Sequence, residues 1–502
     1  MMRLPALLLV LSLCDAAATS HAAELLAATN RIDVTDRTVG RVNDPSFAKV
    51  LVLKQGETTA VLITVDAVAI GEIGRIPNSF LAKVRNTLEL DLGIHPSRVV
   101  VNASHCHGIV RADCDQLVID AVKQTVAALT PVMVGVGSAA ESRISENRRL
   151  TLKDGSQADM RRAYAMPADE TIAAVGPIDP QVGLLRIDRT DGTPLAVVYN
   201  FACHPIMNPP SKGSSADFPA YASRVIELGL GDGATAFFIQ GCGGDINPRR
   251  YKETSTPADA EPLGNLLGVT VLEAVKQIET KPEAPLAFVN EMISLPRAAD
   301  YDARIAAIDA ERLRLLDGLR PTNIGFKTFV PMLIEQRLAP DFPSAHAQSY
   351  LHDAAVGDDG LQRLDSEKRS AVEAYLQNIH TMERLTKLNV NRALLKKHRD
   401  RTAASASSTL DVEVCGLRVG DFKLVTFPGE LTVEVGLGIK KQAADAGVFV
   451  AGYTNGYIYY TPTTIQRSNT GYAQEDCDSL VAPEWQRIFE LKALDLFQRL
   501  SQ

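Results

Sequence analysis

Two well-separated segments of this chain end on histidine: Val100-Val101-Asn102-Ala103-Ser104-His105-Cys106-His107 and Val197-Val198-Tyr199-Asn200-Phe201-Ala202-Cys203-His204-Pro205. Each begins as an apolar, strand-forming run and stops beside a breaker, Gly108 in one case and Pro205 in the other. A buried strand delivers its last side chains to the rim of a sheet, where open α/β folds place their chemistry. Histidine is the commonest metal ligand, and His105 and His107, two residues apart, share one face of an extended segment. The chain has nine histidines, and three of them sit in these two segments. Taken together the segments favour a metal site over two unrelated hydrogen-bonded histidines.

Three further stretches carry groups of related chemistry. Phe238-Ile239-Gln240 runs into Gly241-Cys242-Gly243-Gly244-Asp245-Ile246-Asn247-Pro248, a strand entering a glycine-rich turn whose backbone N–H groups can approach a ligand closely. Thr426-Phe427-Pro428-Gly429-Glu430-Leu431-Thr432 places a carboxylate at what reads as a helix start, where it also complements the helix dipole. Gly452-Tyr453-Thr454-Asn455-Gly456-Tyr457-Ile458-Tyr459-Tyr460-Thr461-Pro462 is rich in tyrosine, and such a run is ordinarily core.

These groups need a scaffold with several strand ends at one rim. From about residue 25 to about residue 290, strand and helix signals alternate. Strands are expected at 49–53, 60–65, 98–103, 132–136, 184–187, 195–201 and 236–239, and helices at 78–92, 116–129, 218–228 and 263–278. The pattern predicts an α/β fold, a mixed sheet covered by helices. Between about Ala298 and Arg401 the chain becomes charged and helical, as an inserted helical hairpin would, either a cap over the site or a solvated scaffold. Strand signals return at 410–414 and 422–426, followed by a helix after Glu430, a strand at 448–452 and a last helix from Trp485 to Leu500.

Arg3, the apolar run Leu4–Leu13 and Ser20-His21-Ala22 read together as a secretory signal peptide over residues 1–22, which predicts a periplasmic or secreted protein. The apolar run is too short to span a bilayer, and no transmembrane segment is expected elsewhere. Beyond it stand Cys106, Cys114, Cys203, Cys242, Cys415 and Cys477, an even number that permits disulfides in an oxidising compartment, although a chain this large does not need them. The net charge of −8 is diffuse and argues against a nucleic-acid partner.

In their order along the chain, these motifs resemble those of the neutral/alkaline, non-lysosomal ceramidases and their bacterial relatives. That family's catalytic domain carries Thr-His-Thr-His-Ser, Phe-Ala-x-His-Pro, Gly-Asp-Val-Ser-Pro, Pro-Gly-Glu-Phe-Thr and Asn-x-Tyr-x-x-Tyr; the counterparts here are 104–108, 201–205, 244–248, 428–432 and 455–460. The resemblance extends over 23–502 as one catalytic domain. It implies a zinc-dependent amide hydrolase whose Zn²⁺ is held by His105, His204, Glu430 and Tyr460. It also implies that His107 faces the substrate and stabilises the oxyanion, and that Arg148, of the pair Asn147-Arg148, orients the substrate. Tyr472 would contact the scissile amide, and Asp245 would sit near the metal-bound water. The chemistry suits these residues on its own terms. Imidazole and oxygen donors fit Zn²⁺, which lowers the pKa of a bound water to near ~7, and an uncharged amide needs donors for its tetrahedral oxyanion.

Three features depart from the family. Asn247 stands where the family has Ser, and His107 is followed by Gly108-Ile109-Val110-Arg111 rather than Gly-Pro-Gly-Gly. No C-terminal immunoglobulin-like domain is expected. The expected function is therefore an exported zinc hydrolase cleaving the N-acyl bond of a small-molecule or lipid-like substrate, with a smaller N-acyl compound favoured over ceramide. An ester, lactone or phosphoester hydrolase on the same metal, or a catalytically degenerate binding protein, is the alternative.

Overall fold

The computed structural model describes residues 23–160, 166–208, 213–231, 233–251, 259–342, 347–469 and 473–502; the signal-peptide segment 1–22 and Tyr472 lie outside them. An eight-stranded sheet occupies the first half of the chain. Its order from edge to edge is Thr235–Gln240, Pro194–Phe201, Gln181–Arg189, Thr130–Ala140, Leu25–Asp33, Phe47–Gln55, Thr58–Val65 and Val99–Ala103. The outermost pair at each end is parallel and the inner pairs are antiparallel. A parallel pair needs a crossover. Helix Phe80–Leu92 supplies it before Val99–Ala103, and helix Asp217–Leu230 supplies it before Thr235–Gln240. The sheet therefore ends on both sides in βαβ units, and the histidine segments belong to those units.

A second sheet, Leu286–Pro296, Thr409–Val419, Phe422–Thr426 and Val448–Ala451, packs on the first. Leu51, Leu53, Leu185 and Phe237 meet Leu417, Leu424 and Phe449 between the sheets. The intervening residues Val50, Val52 and Ile63 face the other way, onto Phe80, Val84 and Val118 of the covering helices. Trp485, Phe489 and Leu496 of helix Trp485–Leu500 close the outside of the second sheet. Burial on both faces is why these strands read as unbroken apolar runs. The result is the expected mixed α/β architecture, in four layers with two sheets at its centre. Leu25–Asp33 and Leu286–Pro296 carry weaker sequence signals because each leaves part of its length half-exposed.

The insertion is larger than a hairpin. It comprises Tyr301–Asp317, Phe326–Leu338, Ala347–Val356 and the 44-residue helix Gly360–Ala403. The second of these carries Pro331 in its interior. The long helix packs along the first through Ile305, Ile308, Leu388 and Leu395. Glu430 also differs from expectation. It opens a two-residue strand, Glu430–Leu431, paired in parallel with Tyr460–Thr461, and the helix begins only at Val433. The physical reason is that the Glu430 N–H donates to the Tyr459 carbonyl (2.9 Å), which commits this backbone to a ladder. All six cysteines beyond Cys14 are buried free thiols. Among the described residues, no helix is long and apolar enough to cross a membrane.

Candidate metal centre

Past the strand Val99–Ala103 the chain leaves the sheet with its backbone held on both sides. Ser104 N–H donates to the Val65 carbonyl and His105 N–H to the Ala67 carbonyl, both at 3.0 Å, and His105 takes a left-handed φ of 67°. The His105 Nδ1 lies 2.6 Å from the Val68 carbonyl. At the other end of the sheet His204 N–H donates to the Ile246 carbonyl (2.9 Å), and its Nδ1 contacts the Gly243 and Ile246 carbonyls. A ring nitrogen that faces a carbonyl carries the proton, so each neutral imidazole keeps a lone pair on Nε2.

Both Nε2 atoms converge on Glu430. That of His204 lies 3.0 Å from Oε2, and that of His105 lies 3.5 Å from the same oxygen. Ligand atoms of the three buried residues all fall within 4.8 Å of one another. Burial lowers the His105 pKa to about 4 in spite of the Glu430 carboxylate. Burial alone would raise the Glu430 pKa, but His105, His204 and the Tyr457 hydroxyl outweigh it and hold that pKa well below the usual range. Near neutral pH the neutral His105 ring and the ionised Glu430 carboxylate thus meet at short range, with the His204 Nε2 beside them. Such an arrangement is repulsive without a cation and suits a metal with nitrogen and oxygen ligands.

The segment after strand Val448–Ala451 supplies the rest of the wall. Gly452 N–H donates to the Gln240 carbonyl and Ala103 N–H to the Tyr453 carbonyl, each at 3.1 Å. The Asn102 side chain bridges the same elements, donating to the Gly452 carbonyl at 2.9 Å and accepting from Gln240 N–H at 3.0 Å. The two edges of the large sheet are stitched together here, and Tyr453 lies between them. Its hydroxyl donates to Glu430 Oε2 (3.2 Å), its ring centroid is 4.3 Å from that of His105, and the Tyr457 hydroxyl donates to Glu430 Oε1. Neither tyrosine is anticipated as a site residue by the sequence. The available signal is that four of the chain's twelve tyrosines fall within 453–460. A Cβ on Gly244 would lie 2.7 Å from the Glu430 carbonyl oxygen, so this glycine allows the turn to pack against the Glu430 strand.

Of the other residues named from the sequence, Tyr460 stands in register with Glu430. Its ring is 6.5 Å from that of His204 and nearly parallel to it. Arg148 places its guanidinium carbon 5.5 Å over the Tyr460 ring. Only 1% exposed, Arg148 donates through Nε to Glu475 (2.7 Å), through Nη1 to Asn247 Oδ1 (3.0 Å) and through Nη2 to the Gly244 carbonyl. It is a fixed part of the wall. Asp245 accepts from Val433 N–H (2.8 Å) and from Asn147 Nδ2 (3.4 Å), so its carboxyl sits at the start of helix Val433–Ala443. Burial, against the opposing pull of Arg149, raises its pKa to about 6. His107 is half-buried with Nδ1 3.2 Å from the Asn208 carbonyl, and burial lowers its pKa. Asn247 fills the position of the family Ser; its Oδ1 accepts from Arg148, and its buried Nδ2 has no partner among the described residues. Glu475 and Asp476, which hold Arg148 and Arg149, carry no sequence signal because they pair across more than three hundred residues. A cavity of about 810 Å³ has Arg41, Asn43, Asp44, Ile109, Asn208 and Ser215 in its wall; Asn208 and Ser215 bond to His107, but neither His107 nor His105, His204 or Glu430 lines it.

No family model and no curated protein matches the sequence. Among solved structures, neutral ceramidase from Pseudomonas aeruginosa is similar with a TM-score of 0.57 over 95% of this chain and 74% of that one, at 16% identity. A ceramidase complexed with C2 is similar with a TM-score of 0.58 over 95% of this chain and 76% of that one, also at 16% identity. The chain has the neutral ceramidase fold.

Proposed function

We propose that the protein is an exported, zinc-dependent hydrolase that cleaves an amide (N-acyl) bond by metal-activated water, working in the periplasm or outside the cell. The observation that carries this reading is the convergence of His105 Nε2, His204 Nε2 and Glu430 in a buried site, each imidazole oriented by a carbonyl on its far nitrogen. His105, His204 and Glu430 would hold the ion, with Tyr460 as the fourth ligand. Bound there, Zn²⁺ supplies Lewis acidity and brings a water to a pKa near ~7.

The chain's own residues do the rest. Carbonyl contacts at Val68, Gly243 and Ile246 fix the imidazole tautomers, as outer partners of metal ligands commonly do. With Nδ1 on the Asn208 carbonyl and a depressed pKa, His107 is neutral and offers Nε2 to take a proton from the attacking water. As an imidazolium it then donates to the oxyanion or to the leaving nitrogen. Arg148 fixes the Tyr460 ring and brings positive charge beside Glu430. We infer a short or polar N-acyl substrate because His107 is followed by Gly108-Ile109-Val110-Arg111 and Asn247 stands in place of the family Ser, while a long acyl chain needs an apolar trench worth about 0.8 kcal/mol per buried methylene.

The test is a competition between a short-chain N-acyl amide and a long-chain ceramide in detergent, with metal content measured alongside. We expect faster turnover of the short-chain amide, abolished by chelation and restored by Zn²⁺. Clear preference for the ceramide overturns the substrate reading. Stoichiometric zinc with no turnover of any acyl compound points instead to a binding protein.

A further inference from the structure

Tyr459 lies between Tyr457 and Tyr460 in a left-handed backbone conformation, φ 65°. A bulky residue holds that conformation only where its surroundings determine it. Its backbone matters to the centre, because its carbonyl accepts the Glu430 N–H (2.9 Å) and the residue bridges to Ser479. Its ring is gripped by the last turns of the long inserted helix Gly360–Ala403. Lys397 Nζ lies 4.0 Å from the ring centroid and the Arg401 guanidinium carbon 5.3 Å from it, while the His398 ring stands 4.7 Å away and nearly perpendicular. Lys397 and Arg401 are four residues apart and so share one face of that helix, and a cation beside an aromatic ring is attracted to it. Arg401 Nη1 also donates to the Tyr459 hydroxyl at 2.9 Å.

The same helix turns reach both halves of the centre. Arg401 Nη2 pairs with Glu72, in the loop whose Ala67 and Val68 carbonyls hold the His105 N–H and Nδ1. His398 Nε2 lies 2.5 Å from Asp478 Oδ1, and the Asp478 carbonyl accepts the Tyr460 N–H at 3.1 Å. One helix end is thus tied to the loop of His105 on one side and to the strand of Glu430 and Tyr460 on the other.

We propose that the inserted helix is a positioning clamp for the metal centre, with Arg401 as its key positioning residue and Lys397 and His398 as its supports around Tyr459. The clamp rests on the metal reading of His105, His204 and Glu430. It acts by holding the left-handed Tyr459 backbone, and so the spacing between the His105 loop and the Glu430 strand.

The experiment compares Arg401→Met, Arg401→Lys and Tyr459→Phe with Arg392→Met in the full chain. Arg392 pairs with Asp309 within the insertion, so its loss loosens the helices while leaving the grip on Tyr459 in place. The readouts are Zn²⁺ affinity by chelator competition, the absorption bands of the Co²⁺-substituted protein, and the thermal midpoint of the metal-free chain. Arg401→Met should weaken Zn²⁺ binding roughly 10–100-fold, the range typical of outer partners of metal ligands, and should alter the Co²⁺ bands. Arg401→Lys should recover part of the loss. Tyr459→Phe, which keeps the ring among the cations, should give a smaller loss, and Arg392→Met should leave affinity and spectrum unchanged. Unchanged affinity and spectrum in both Arg401→Met and Tyr459→Phe overturn the clamp alone, as does equal weakening in Arg392→Met. Failure of the unsubstituted chain to bind Zn²⁺ overturns the metal reading as well.

Discussion

The candidate metal centre and the inserted helices are built on opposite terms. In the centre, His105, His204, Glu430 and Tyr460 are all at most 7% exposed, and the Nδ1 atoms and carboxylate oxygens are each engaged by a neighbour. In the insertion, Leu313, Phe326, Leu338, Leu351 and Val356 are each at least 64% exposed, and its own core is the short stripe around Ile308, Leu388 and Leu395. The large sheet fixes the centre from both of its edges, whereas the insertion meets the body mainly at one end. Substitutions in the centre should therefore act on chemistry, and those in the distal insertion should do little.

The largest effect is expected from His105→Ala and Glu430→Gln. Each should leave the purified protein without stoichiometric metal and lower turnover by at least about a thousand-fold, or about 4 kcal/mol of barrier. Metal analysis beside a single-substrate assay decides it. A metal-replete Glu430→Gln protein with ordinary turnover would remove the carboxylate from the site. His107→Ala should separate the two properties, keeping the metal while turnover falls roughly 10²–10³-fold, as for the loss of an oxyanion donor. Equal loss of metal in His105→Ala and His107→Ala would make His107 a ligand.

Asn247→Ala sharpens the comparison through stability. It leaves a buried Arg148 Nη1 without its acceptor, and an unsatisfied buried polar group costs about 1–3 kcal/mol. The unfolding free energy from denaturant titration should fall by that amount.

Acid should act on the centre in a defined window. The folded-state pKa of His105 is lowered from 6.5 to about 4, so between those values the unfolded chain binds a proton that the folded chain does not. Stability conferred by the neutral ring is thus present above 6.5 and is lost as pH falls toward about 4. Glu430 has the same sign at lower pH, since its depressed pKa contributes stability above the ordinary carboxylate value. The unfolding free energy of the metal-free chain, measured along a descending pH series, should fall between pH 6.5 and about 4. Stability of the metal-free chain that stays unchanged across that window would show that the His105 imidazole is more hydrated than its burial implies. The smallest effect belongs to the far insertion, where Leu338→Ser should change stability by no more than about 0.5 kcal/mol and leave turnover unchanged.

By itself, the sequence determined the periodic elements and the ligand-type residues at their ends. The strands ending before His105 and His204 were legible because burial on both faces makes apolar runs, and the breakers after them mark the rim. The existence of the helical insertion was legible from its charge pattern, although the helix containing Pro331 was not. Only the tertiary structure decided which of these groups meet. Glu430 sits on a strand because its N–H finds the Tyr459 carbonyl, a partner that local propensity does not contain. Tyr453 and Tyr457 became partners of Glu430 because the segment after Val448–Ala451 bridges the two edges of the large sheet, and Arg148 became wall because Glu475 and Asn247 accept from it. Local patterning specifies an element and its buried faces, but the partner of a buried polar atom is chosen by whichever complementary group the assembled sheets bring within hydrogen-bonding reach.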